Sequence, residues 1–144
     1  MLFLAQTDTT AGFLSKDFKE INKAKKRALN TPCILTTAYF SELLAFVRVP
    51  NAHKNLVRKA KRTSFIYPNQ KACRVINSGK HAEFLREFGC FFSSSANLHG
   101  RAFDATLARK IVRENGGKII DEKLFSGTPS RILKLGKKQI HKIR

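Results

Sequence analysis

Carboxylates are scarce in this chain: 10 Asp and Glu stand against 28 Lys and Arg, a formal charge of +18 over 144 residues. So few acids exclude a carboxylate-rich metal site, and no metal is expected on the protein's own side chains. Tryptophan is absent and one Met occurs, so the twelve Phe are expected to fill much of the core. Cys33, Cys73 and Cys90 are odd in number, widely spaced and without a C-x-x-C pair. That pattern excludes a zinc knuckle or a redox couple and reads as buried reduced thiols. No apolar run reaches the length of a membrane span, and Met1–Ala5 is too short for a signal peptide and lacks its basic lead. A cytoplasmic location and no membrane partner follow as expectations. Also missing are a G-x-S-x-G elbow, an H-E-x-x-H pair and a Walker glycine loop, the marks of serine hydrolases, zinc proteases and P-loop enzymes.

What is present is a globular composition with a large cationic excess. Hydrophobic residues make up 42% of the chain, enough for a core, and the length suits one domain over residues 1–144 that buries about two-thirds of its unfolded surface. A charge of +18 attracts a polyanion by counterion release, whatever its sequence. No linker, repeat or low-complexity segment divides the chain.

Alternating strand-like and helix-like stretches predict an α/β fold. Strands are expected at 1–6, 32–36, 64–67, 71–76, 118–121 and from 127 to 133. Helices are expected at 16–27, 41–47, 53–62, 79–88 and 103–114. Gly89 and Asn115-Gly116-Gly117 read as helix stops. The tail from Lys134 reads as a final strand or as a basic arm.

Four stretches carry candidate chemistry. Phe91–Gly100, FFSSSANLHG, reads as a strand end followed by small hydroxyl and amide side chains. Such a run suits a loop closing on phosphate or carboxylate oxygens, and equally a polar turn with a Ser or Asn cap. Thr7–Gly12 is a polar turn whose oxygens either bind local backbone donors or hold a ligand. Lys25-Lys26-Arg27 ends a helix, where cations complement the dipole or clamp phosphate, Arg27 as a planar fork and Lys25 as a point charge. Lys54, Arg58, Lys59, Lys61 and Arg62 form either a solvated face or contacts to an RNA backbone. His99 is expected to face solvent.

The spacing Ser95-Ala96-Asn97, with Gly100 behind it, resembles the S-x-N motif of the YrdC family, the threonylcarbamoyl-AMP synthases. Thr7-Asp8-Thr9, Lys25-x-Arg27 with Pro32 beyond it, and Pro129-Ser130 are similar to three further family motifs in the same order. The likeness runs from about Leu4 to about Leu133. It implies a twisted, mixed, open sheet flanked by helices. It also implies condensation of L-threonine, bicarbonate and ATP into threonylcarbamoyl-adenylate for tRNA modification, magnesium arriving on the ATP, and hand-over to a downstream threonylcarbamoyl-transferase complex. Carried over by position, Lys25, Arg27, Ser95, Asn97 and Ser130 meet nucleotide phosphate. Thr7, Thr9 and Arg74 meet threonine, with Lys26 pointing away. No protein nucleophile is needed, because positioning and charge neutralisation suffice.

The chain departs from the family form at Gln6 for Pro, Thr10 for Val and Ala11 for Tyr. Of a longer Pro-Gly-Pro-x-Thr segment, Pro68 alone remains. These departures keep a second reading open: a non-catalytic or altered relative that binds tRNA or double-stranded RNA through a basic concave face.

Overall fold

The computed structural model describes residues 1–144. In chain order it holds β1 (Phe3–Gln6), β2 (Ala11–Ser15), α1 (Phe18–Ala24), β3 (Ile34–Thr37), α2 (Phe40–Leu43), a 3-10 turn (Asn51–His53) and α3 (Lys54–Lys59). There follow β4 (Thr63–Ile66), β5 (Ala72–Val75), α4 (Lys80–Phe88), β6 (Phe91–Ser95), α5 (Ala105–Glu114), β7 (Lys118–Ile119), β8 (Arg131–Leu135) and β9 (Ile140–Lys142). The chain gathers into two compact units, Met1–Cys33 with Phe91–Thr128, and Ile34–Cys90 with Pro129–Arg144.

In the first unit the strands stand in the order β7-β1-β2-β6. β1 runs antiparallel to β2 and parallel to β7, and β2 runs antiparallel to β6. Leu4, Phe13, Ile21, Ala108 and Val112 form the centre of its core, each at most 1% exposed. Burial of each large side chain contributes about 1.5–3 kcal/mol. α1 begins at Asp17, whose carboxylate accepts from the Lys19 amide at 2.9 Å. α5 begins at Asp104, whose Oδ1 accepts from the amides of Thr106 at 2.9 Å and Leu107 at 3.2 Å. Ala108, Ile111 and Val112 recur at helical spacing, so one face of α5 packs inward.

In the second unit the order is β3-β5-β4-β8-β9. β3/β5 and β4/β8 pair parallel, while β4/β5 and β8/β9 pair antiparallel. Leu43, Val57, Phe65, Tyr67, Leu85 and Leu135 are buried there. Parallel and antiparallel ladders together make the sheet mixed and the class α/β, as expected from the sequence.

The structure corrects several local expectations. Ala11–Ser15 is a strand, not the end of a turn leading into a helix. All five of its residues are buried, so it lacks the alternation that marks a half-buried strand. Ser93 to Ser95 lie within β6, not in a loop after it. Gly12 makes room for that pairing: a Cβ there would stand 3.0 Å from Thr7 Cγ2 and 3.3 Å from Ser94 O. The expected helix at 53–62 is six residues preceded by the 3-10 turn, and the one at 41–47 ends at Leu43. The tail is a strand, β9, paired with β8. Phe fills less of the core than its number suggests, because Phe46, Phe88 and Phe125 are 37%, 53% and 59% exposed.

Asp104→Ala removes the acceptor for two α5 amides. Urea unfolding should show a loss of about 1 kcal/mol, and Asp104→Asn a smaller one.

Candidate anion-binding site

The first unit brings Lys25, Arg27, Ser95 and Asn97 together. Lys25 closes α1, with its amide bonded to Ile21 O. Lys26 then takes φ 53°, a left-handed turn, and is exposed. That turn redirects the chain, so Lys25 and Arg27 both lie toward β6 while Lys26 lies away, as expected.

Lys25 is 2% exposed. Its Nζ donates to Ser95 O at 2.6 Å, to Asn97 Oδ1 at 3.3 Å and to Ser95 Oγ at 3.5 Å. Every acceptor is neutral. Arg27 donates from Nε to Asn22 Oδ1 at 2.7 Å, and from Nη2 to Cys33 Sγ at 3.3 Å and Ser94 Oγ at 3.4 Å. No carboxylate pairs with either cation. Burial, and next the charge of Arg27, bring the Lys25 pKa down from 10.5 to about 8, against a small opposing effect of Cys33. The ammonium still holds its proton at pH 7. Burial also pushes the Cys33 thiol up, which outweighs the pull of Arg27. Two adjacent cations with neutral acceptors alone leave positive charge uncompensated beside the exposed Ser95, and an anion is the natural complement.

Asn97 holds Lys25 in place. Its Oδ1 accepts from Lys25, and its Nδ2 donates to Leu98 O at 3.0 Å and Arg101 O at 2.6 Å. Both amide hydrogens are thus spent on backbone, so its role in this state is orientation. Asn22, Ser94 and Cys33 belong to the cluster, and of these Asn22 was not singled out in the sequence. Asn22 is fully buried and donates to Leu29 O and Thr31 O, both at 2.8 Å. Its sequence signal was slight: one amide beside Ile21 on the apolar side of a helix.

The Thr7–Thr10 turn is closed on itself. Thr7 Oγ1 donates to Thr10 O at 2.6 Å and accepts from the Thr9 amide at 3.2 Å, and the two threonine hydroxyls are 3.3 Å apart. Both residues are buried. The segment after β7 lies along this turn. Gln6 Oε1 accepts from the Phe125 amide at 2.9 Å, the Ala11 amide donates to Phe125 O at 3.1 Å, and a Cβ on Gly127 would collide with Thr9 O.

The remaining expected residues lie in the second unit. Ser130 Oγ is 3.0 Å from Ser64 Oγ, Arg74 Nη1 donates to Ser64 Oγ at 3.3 Å, and Arg144 Nη2 donates to Ser130 Oγ at 3.3 Å. Arg74, Ser64 and Ser130 are all buried. Ser64 and Arg144 were not singled out, and Ser64 joins because β4 pairs with both β5 and β8. Lys54 is half-buried, whereas Arg58, Lys59, Lys61 and Arg62 are exposed, and Arg58 stacks over Phe40 at 4.5 Å. α3 ends at Lys59, so Lys61 and Arg62 leave the helix surface that carries the other three. His99 is exposed. No cluster of three His, Cys, Asp or Glu stands together, and no helix is long and apolar enough to cross a membrane.

The depressed Lys25 pKa has a measurable consequence. Between about pH 8 and 10.5 the folded chain has released this proton and the unfolded chain still holds it. The unfolded state binds more protons there, so this group makes stability rise with pH across that window. Urea titrations should show the rise between about pH 8 and 9, before the raised pKa of the buried Cys73 thiol opposes it, and Lys25→Met should flatten it.

No protein-family model and no curated protein sequence matches the chain. Solved structures do. A variant of P. abyssi Sua5 superposes with a TM-score of 0.83 at 20% identity over 99% of this chain. P. abyssi Sua5 complexed with L-threonine gives 0.80, also at 20% over 99%. In each case the chain spans about half, 49%, of the Sua5 length. E. coli YciO gives 0.78 at 16% identity, with 99% of this chain and 82% of YciO covered. The chain has the YrdC/Sua5-type fold.

Proposed function

We propose that the chain binds ATP phosphates at Lys25 and Arg27 and condenses L-threonine, bicarbonate and ATP into threonylcarbamoyl-adenylate for tRNA modification. The observation that carries this reading is the buried Lys25 ammonium, held by neutral acceptors beside Arg27 with no carboxylate on either. Chemistry of this kind asks for charge neutralisation and alignment, not for a nucleophile. In this reading Lys25 and Arg27 offset phosphate charge, and magnesium comes with the nucleotide. Ser95 lends a hydroxyl and Asn97 fixes Lys25. Threonine binds at Thr7 and Thr9, the positions the family resemblance assigns, and threonine as ligand is in keeping with the complex of the similarly folded Sua5 with L-threonine. Entry there requires the Thr7 hydroxyl to exchange Thr10 O for substrate. The adenylate then passes to a downstream transferase complex.

Purified chain should release pyrophosphate from ATP only when both L-threonine and bicarbonate are supplied. Arg27→Ala should weaken ATP binding by about 2 kcal/mol in calorimetric titration. Affinity should also fall as pH rises above about 8, where Lys25 loses its charge. Pyrophosphate release indifferent to threonine, or ATP affinity untouched by Arg27→Ala, would sink the proposal.

Four exposed cations and the half-buried Lys54 favour a second reading, in which the chain binds tRNA or double-stranded RNA without turnover through Lys54, Arg58, Lys59, Lys61 and Arg62. Its mark is tight, salt-sensitive RNA binding with no pyrophosphate release. Arg58→Ala should then reduce the slope of log affinity against log salt by about one and leave ATP binding unchanged.

A further inference from the structure

A separate groove opens in the second unit, with a volume of about 1250 Å³. One wall is the segment after α2, from Leu44 to Ala52, and the other is the β8–β9 turn with Gly136, Lys137 and Lys138. Both walls are fixed. His53 is 4% exposed and its Nε2 lies 3.1 Å from Gly136 O, tying the 3-10 turn to the hairpin. Asn69 Nδ2 donates to Phe46 O at 3.1 Å. The hairpin itself closes through the Gly136 amide on Gln139 O at 2.8 Å.

The lining is of two kinds. Val47, Val49 and Leu135 point into the core, and Leu44 and Phe46 stay 50% and 37% exposed. Arg48 alternates outward between the two valines, and with Lys54, Lys137 and Lys138 it sets four cations around the groove. None of the lining residues is acidic. Such a surface complements a polyanion that also carries flat apolar faces. Four cations from three segments spread round one groove fit an extended anion with several phosphates, not a small metabolite. The exposed amide of Asn51 adds a donor and an acceptor for a base edge.

We propose that this groove binds single-stranded nucleic acid, with one base stacked on Phe46 and adjacent phosphates on Arg48, Lys54, Lys137 and Lys138. A single strand presents its bases for stacking, whereas a duplex hides them and offers phosphate alone. The assignment does not depend on the ATP site, because none of these residues touches Lys25 or Arg27.

Fluorescence anisotropy with labelled homopolymers of about 16 nucleotides tests this. Oligo(U) and oligo(dU) should bind more tightly than a duplex of equal length, and whichever strand binds better names the sugar. Phe46→Ala should weaken binding about tenfold while keeping the salt slope. The double change Lys137→Ala, Lys138→Ala should lower that slope by about two. Both positions are exposed, and circular dichroism checks that the variants fold. Arg27→Ala should leave strand binding unchanged, so failure of the nucleotide reading is told apart from failure of this one. Three results overturn the proposal: no loss in either variant, equal or tighter binding of the duplex, or displacement of the strand by polyglutamate at matched charge, which would assign the groove to an acidic peptide.

Discussion

An ammonium taken almost wholly out of water and given no counter-ion sets the character of the first unit. Desolvating Lys25 is costly, and the cost is offset by three oxygens, one a strand-end carbonyl and two from the S-x-N segment. The C-terminus of α1 is therefore pinned to the end of β6. Arg27 fastens the next residues through Asn22, which in turn holds the 29–31 loop. A site made this way is preorganised: its cations are fixed before any ligand arrives, and their charge remains unspent.

The other polar clusters follow a different logic. The Thr7–Thr10 turn satisfies its own hydroxyls and is overlaid by the segment around Phe125 and Gly127. The Ser64–Ser130 pair is fed by donors from Arg74 and Arg144. In both places the groups that the family resemblance assigns to substrate are occupied by protein partners. A ligand there exchanges one hydrogen bond for another, with a modest net gain.

Segments with strong local signals were legible. The helices expected at 79–88 and 103–114 form as Lys80–Phe88 and Ala105–Glu114, Gly89 and Asn115 stand at their ends, and Val75 and Leu133 lie in strands. β2 was not legible, because a strand buried on both faces and carrying Gly12 has no period of two to read. Serine's local preference is for turns, so the sequence predicts a loop where the serines of β6 stand. Pairing with β2 from Gly12 to Ser15 overrides that preference.

By itself the sequence determined the α/β class, the cationic excess and the set of residues able to hold an anion, since composition and spacing fix which side chains exist and in what order. Only the tertiary structure decided which of them meet. Lys25 and Ser95 are joined across 70 positions, and Ser64 enters a cluster with Ser130 across 66. Asn97 holds Lys25 through Oδ1 and donates to Leu98 O and Arg101 O. The physical reason is that burial, hydrogen-bond partnership and pKa depend on distances through space, which a one-dimensional pattern of residue types does not contain.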